Sequence, residues 1–208
     1  MKRLPSRMEK RRGITLAELM CAGLLGMLLL LMCASALVPA ARVMRRLRRT
    51  SDAQMIAGGI VEQIRAEVEE AREYIKIDSY GDGGMALEFA HGDGCSMRIW
   101  SGVDGTNGAG SGHLLYRCCS EETGNCVEYA GFPEKFYMGL FLKLQFFPIL
   151  EDGAVTNIKV TVQLTEGQES SAVICAESLI IDLRYAWELQ NGVRVRKGLP
   201  LLFGGKTN

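Results

Sequence analysis

The chain has 208 residues, with 24 Lys and Arg balanced by 24 Asp and Glu. A formal net charge of zero excludes the strongly basic composition of many nucleic-acid binders and the acidic composition of solvating tails. The length suffices for one domain with a proper core, or for a membrane helix plus one modest domain.

The even balance hides a strong local pattern at the N-terminus. Met1 to Gly13 carries Lys2, Arg3, Arg7, Lys10, Arg11 and Arg12 against only Glu9. Ile14 to Ala41 is almost wholly apolar, interrupted by Thr15, Glu18, Ser35 and Pro39, and Arg42, Arg45, Arg46, Arg48 and Arg49 follow at once. Such a layout reads as membrane topology. As a helix the apolar run would extend about 42 Å, more than the roughly 30 Å hydrocarbon core of a bilayer.

Three readings compete for this run. A secretory signal peptide would explain the basic start and the small residues Ala34-Ser35-Ala36. Against it stand the length of the run, Glu18 near its beginning, and arginines just beyond the supposed cut. Leu30-Leu31-Met32-Cys33 is a poor lipoprotein box, because Met32 is bulky where a small residue is expected. A plain single-pass anchor explains the length but leaves Glu18 without a purpose, since an acidic side chain in a membrane segment costs a few kcal/mol unless paired.

The third reading uses the odd residues. Arg11-Arg12-Gly13-Ile14-Thr15-Leu16-Ala17-Glu18-Leu19 resembles the processing site of type IV prepilins and type II secretion pseudopilins. That family has a short basic leader ending in glycine, then an apolar residue, Thr, Leu, a variable residue, Glu and Leu. Ile14 stands where Phe is commonest, and Ala17 where a bulkier residue is usual. The likeness covers roughly residues 7–41. It implies cleavage by a prepilin peptidase between Gly13 and Ile14 and N-methylation of Ile14. It further implies assembly with other pilin or pseudopilin subunits on an inner-membrane platform.

A physical argument stands beside the likeness. Cleavage after Gly13 creates an amine at Ile14, and Glu18 lies four residues on, one helical turn away. A buried carboxylate needs a cation or donors, and the new amine, in the same chain or a neighbour, is the nearest cation. Glu18 is therefore the expected assembly residue; the competing reading is a glutamate facing the interface. Charge counts on the two sides of the run favour a cytoplasmic N-terminus only marginally. The family's cytoplasm-facing peptidase sets the orientation chosen: a single pass through the cell membrane, N-terminus inside and head outside, then a surface or envelope filament.

Arg42, Arg45, Arg46 and Arg49 repeat at three- and four-residue spacing, a basic stripe on one helical face. Anchoring to lipid headgroups is the leading reading, and salt bridges between packed subunits the second. No aromatics interleave with the arginines, which argues against nucleic acid. Beyond Thr50-Ser51-Asp52, the residues Ile56, Ile60, Ile64, Val68, Ala71 and Ile75 recur at helical spacing, opposite Glu62, Arg65, Glu69, Arg72 and Glu73. This predicts an amphipathic helix over 42–80, loosened by Gly58-Gly59. With a kink at Pro39, one bent helix from Ile14 to about Lys76 would be roughly 95 Å long.

Gly81-Asp82-Gly83-Gly84 marks the change to period-two, β-rich sequence. Met85–Ala90, Ser96–Trp100, His113–Cys118, Cys126–Ala130, Leu140–Phe147, Asn157–Leu164 and Ala172–Leu183 read as strands. The expected fold is α+β: a long, partly transmembrane N-terminal helix packed on an antiparallel β-sheet head over 81–208, an arrangement that is pilin-like by analogy.

Of seven cysteines, Cys21 and Cys33 lie in the apolar run, where they serve as small apolar fillers. Cys119 and Cys126 are spaced to clip a β-hairpin if the head faces an oxidising exterior, with Cys118 an equally placed rival. No C-x-x-C, G-x-S-x-G, H-E-x-x-H, Walker or Rossmann pattern occurs, so no enzyme, cofactor or metal is expected. His91 and His113 read as surface residues beside glycine-rich turns, and Asp78 and Asp82 as turn residues. Asp104-Gly105-Thr106-Asn107-Gly108 lacks the acidic spacing of a calcium loop.

Two function classes remain. One is a structural subunit, by its elaborated head a minor one, of a type IV pilus or a secretion or competence pseudopilus. The other is a membrane-anchored extracellular binding module that never polymerises.

Overall fold

A computed structural model of the chain describes residues 15–80, 84–102, 112–120, 123–167, 172–190 and 193–203. The proposed cut at Gly13 and Ile14, Asp82 and the 104–108 segment lie outside these residues. The chain divides into two compact units, residues 1–48 and Arg49–Asn208.

One helix, α1, runs from Leu16 to Val68 and continues through Pro39. Its N-terminal part is long and apolar enough to cross a membrane. None of its large apolar residues before Arg48 is buried; Leu24, for example, is 68% exposed. Such a surface needs lipid or other apolar helices to cover it.

In the second unit the helix becomes amphipathic. Ala53, Ile56, Ala57, Ile60, Val61, Ile64 and Val68 are buried, and full burial of each isoleucine is worth roughly 2 kcal/mol. Gly59 has a specific reason to be glycine. A Cβ there would lie 3.3 Å from the ring of Phe136, which stacks on Phe132 at 4.1 Å and meets Tyr137 edge-on at 5.5 Å. Gly59 thus admits an aromatic cluster to the helix.

The helix ends eight residues before the expected Lys76. After a short turn, strand β1 occupies Ala71–Tyr80. Ala71 and Ile75 are four apart, and residues four apart share a face in a strand as well as in a helix. The strand is revealed by the alternation of Ile75 and Ile77 with Lys76 and Asp78. Asp78, expected in a turn, is a strand residue whose carboxylate lies 3.6 Å from both Lys76 Nζ and an Arg98 nitrogen.

Ten further strands follow: β2 (Gly84–His91), β3 (Cys95–Gly102), β4 (His113–Ser120), β5 (Cys126–Ala130), β6 (Phe141–Glu151), β7 (Ala154–Thr165), β8 (Val173–Asp182), β9 (Trp187–Gln190), β10 (Val193–Arg196) and β11 (Leu201–Phe203). They form three sheets rather than one. The largest has the order β11-β1-β2-β3-β4-β5, the second β6-β7-β8, and β9-β10 is a hairpin. All pairings are antiparallel except β1–β11, which is parallel. The architecture is therefore α+β, with antiparallel and mixed sheets.

One core joins the helix to both large sheets. Leu87 and Phe89 of β2, Met97 and Ile99 of β3, Leu114 and Tyr116 of β4, Leu142 and Leu144 of β6, and Val160 and Val162 of β7 all belong to it. The residues before and within β11 stitch the sheets together. Val155 and Leu199 exchange both backbone hydrogen bonds at 2.7 Å, and Ile75 donates its N–H to the Pro200 carbonyl at 3.0 Å. A second stitch joins Gly112 and Leu142, again by two backbone bonds.

Candidate functional site

At the start of α1, Thr15 and Glu18 satisfy each other. The Thr15 N–H donates to Glu18 Oε2 at 3.0 Å, and the Thr15 hydroxyl donates to the same oxygen at 3.1 Å. The Glu18 N–H lies 3.3 Å from Thr15 Oγ1. This is a capping box, which satisfies N–H groups that a helix start otherwise leaves unpaired. Its sequence signal, Thr-x-x-Glu ahead of an apolar run, was present at Thr15. The expected partner of Glu18, the amine of Ile14, lies outside the described residues.

The arginines of the basic stripe have different intramolecular neighbours. The Arg45 Nε donates to the Ala41 carbonyl at 3.4 Å, a contact within its own helix. Arg49 falls in the second unit and pairs with Glu166 at 2.9 Å. Both side chains are half exposed, so the pair contributes under about 1 kcal/mol. Arg42, Arg45 and Arg46 remain exposed on α1.

Cys119 and Cys126 are disulfide-bonded, joining β4 to β5. Cys118, the rival, faces the core side of β4 because adjacent strand residues point to opposite faces. Cys95 on β3 is also buried there. Burial, helped by a hydrogen bond with Cys118, pushes the Cys95 thiol up to about 12, so it stays a thiol at neutral pH and is a poor nucleophile. The short loop closed by the disulfide sets its worth at about 2 kcal/mol. Cys126→Ser should lower the thermal midpoint of the oxidised protein, and reductant should abolish the difference between the variant and the parent.

The histidines are more enclosed than expected. His91 ends β2 with a side chain only 10% exposed and Nε2 3.5 Å from Glu67 of α1; the Asp93 N–H lies 3.3 Å from its Nδ1. His113 stacks on Tyr137 at 4.3 Å. The Tyr137 hydroxyl accepts the buried N–H of Leu114 at 2.8 Å. The sequence reading took both histidines as surface residues beside glycine-rich turns; it began a strand at His113, as observed, but stopped β2 one residue short of His91. Among the described residues, no group of three or more His, Cys, Asp or Glu could hold a metal ion. A cleft of about 500 Å³ lies beside His113, Glu134, Lys135, Met138 and Phe141.

The sequence reading missed a row of charges across the solvent face of the large sheet. Strand register aligns Lys76, Glu88, Arg98, Arg117 and Glu128 on five successive strands. Lys76 Nζ lies 3.0 Å from Glu88, and Arg117 lies 2.9 Å from Glu128. The hydrogen bond to Glu88 raises the Lys76 pKa, so the stability this pair adds is present below the ordinary lysine value and lost as pH rises through the raised one. Alternate-residue spacing in each strand was the only signal, and the row exists only once the strands are in register.

Compared with protein-family models, curated proteins and solved structures, the chain matches none.

Proposed function

We propose that this chain is a structural subunit, a minor one, of a type IV pilus or of a secretion or competence-like pseudopilus. A prepilin peptidase cuts between Gly13 and Ile14, Ile14 is N-methylated, and the mature protein joins fellow subunits through its N-terminal helix. An inner-membrane platform and the bilayer itself are the other partners. The observation that carries this reading is Arg11-Arg12-Gly13-Ile14-Thr15-Leu16-Ala17-Glu18-Leu19 directly at the start of an apolar helix. The exposed apolar surface of α1 before Arg48 agrees with burial in lipid first and among packed helices later.

Processing gives the direct test. A peptidase that reads extended backbone beside the membrane can require glycine, because a Cβ blocks close approach. Gly13→Val is expected to accumulate full-length precursor, while the parent shows an N-terminus at Ile14 by mass analysis. Processing of Gly13→Val at the parental rate would remove the proposed site.

One observation favours the second reading, a membrane-anchored extracellular binding module. Glu18 is partnered within its own chain by Thr15, which is all that a capped single-pass anchor needs. That reading requires no cut, so an intact Met1 on protein from the native membrane would favour it.

A further inference from the structure

We propose that residues 42–47 of α1 form a binding site for acidic phospholipid headgroups, in which Arg42, Arg45 and Arg46 hold the phosphate and Val43, Met44 and Leu47 lie against acyl chains; this rests only on α1 entering a membrane, which both readings above share.

The first observation is a division of faces. The helix is unbroken from Leu16 to Val68. At 3.6 residues per turn, Arg42, Arg45 and Arg46 fall within an arc of about 100° and along about 6 Å of the axis. Val43, Met44 and Leu47 fall on the opposite side. All six residues are exposed, the three apolar ones by 56%, 73% and 65%. A basic face backed by an apolar one suits a helix at the boundary between headgroups and acyl chains. The segment directly follows a run apolar enough to cross a membrane.

The second observation is charge. No Asp or Glu occurs between Glu18 and Asp52, whereas Arg42, Arg45, Arg46, Arg48 and Arg49 all do. The helix therefore offers these arginines no carboxylate over that stretch. Arg49 meets Glu166 in the second unit at 2.9 Å, and Arg48 lies off the shared face. Arg42, Arg45 and Arg46 are left as one cluster. Every basic residue of the stretch is arginine, whose planar fork matches a phosphate with two parallel N–H bonds where lysine presents a point charge.

The third observation is depth. Side chains on a helix lean toward its N-terminus, and the Arg45 Nε donates to the Ala41 carbonyl at 3.4 Å. The Arg45 guanidinium thus lies beside the last residue of the apolar run, the level at which lipid phosphates meet the hydrocarbon. Its stem can cover apolar surface while its head reaches the phosphate. A zwitterionic headgroup offers the same phosphate but brings a cation that the cluster repels. An acidic headgroup brings none, so the site selects the acidic lipid.

The test uses the full chain, purified and reconstituted into vesicles of equal parts phosphatidylglycerol and phosphatidylcholine. Native mass spectrometry then reads the lipid that each released chain retains. Single chains are expected to keep phosphatidylglycerol over phosphatidylcholine by about fivefold or more, the effect of one arginine at an acidic surface. Arg42→Gln/Arg45→Gln/Arg46→Gln should bring the ratio close to one, and glutamine leaves the helix intact. Arg45→Gln and Arg48→Gln remove equal charge from different faces. The first should lower the preference at least about twofold, and the second should leave it unchanged. No preference in the parent, an unchanged ratio in the triple variant, or equal losses from the two single variants would overturn the site. Lipid retained only by dimers would overturn it too, because the phosphate would then lie between copies. Alkaline carbonate extraction of the same vesicles separates two failures. A chain that resists extraction yet shows no preference loses this site alone, and a chain that is extracted loses the membrane reading with it.

Discussion

Gly198→Ala is expected to destabilise the head by about 3 kcal/mol or more, lowering the thermal midpoint of the detergent-solubilised full chain by roughly 10 °C. Two costs combine there. Gly198 has φ of +66°, a conformation that L side chains adopt at a cost of about 1 kcal/mol. An added Cβ would also lie 2.5 Å from the Ala154 Cβ and 3.1 Å from backbone atoms of Ala154 and Val155. Backbone cannot swing aside as a flexible side chain can. The clash falls directly before Leu199, whose paired hydrogen bonds with Val155 help join the two large sheets. Gly94→Ala is the matched control. It has φ of +78° with nothing within 4 Å of the built Cβ, so only the conformational cost of about 1 kcal/mol applies. Equal midpoints for the two variants would show that the sheet junction yields to a methyl group.

The second large effect concerns Glu18. Its two candidate roles, helix cap and assembly charge, are separable by substitution. Glu18→Gln keeps an acceptor for the Thr15 N–H and hydroxyl, because glutamine also serves at this position of a capping box. It removes the charge that would meet the Ile14 amine of the same chain or a neighbour. Glu18→Ala removes both, and loss of the cap costs about 1 kcal/mol at the helix start. If Glu18 acts in assembly, both variants should be cut at Gly13 and stay in the membrane. Both should also enter filaments or pseudopilus complexes at least about tenfold less well, since an amine left unpaired among packed helices costs more than the 1.4 kcal/mol that a factor of ten represents. Co-purification with sheared filaments, scored beside processing on the same samples, reads this directly. Normal incorporation of Glu18→Gln with impaired Glu18→Ala would assign the residue to capping alone. Normal incorporation of both would return it to a simple anchor.

The parts of the molecule that were legible in the sequence are those set by local pattern. Charge flanks and a long, almost wholly apolar run mark a candidate membrane segment at 14–41, and α1 covers it from Leu16 on. Period-two alternation located seven strands, β2 to β8, to within a few residues of their ends. The close spacing of Cys119 and Cys126 suggested a clipped hairpin, but only the alternation of faces along β4 decides against Cys118: its side chain turns to the core, while that of Cys119 turns to Cys126.

Tertiary structure decided what depends on partners distant in sequence. The end of α1 at Val68 could not be read from Ala71 and Ile75, whose spacing suits both helix and strand; pairing of Ile75 with Phe89 on one side and Leu201 on the other selects the strand. The short strands β9, β10 and β11 carry too few residues for periodicity to speak, and β11 exists because its backbone bonds to β1. The charge row from Lys76 to Glu128 is likewise a property of register, because each charge meets the next only through the cross-strand pairs Lys76–Glu88, Glu88–Arg98, Arg98–Arg117 and Arg117–Glu128.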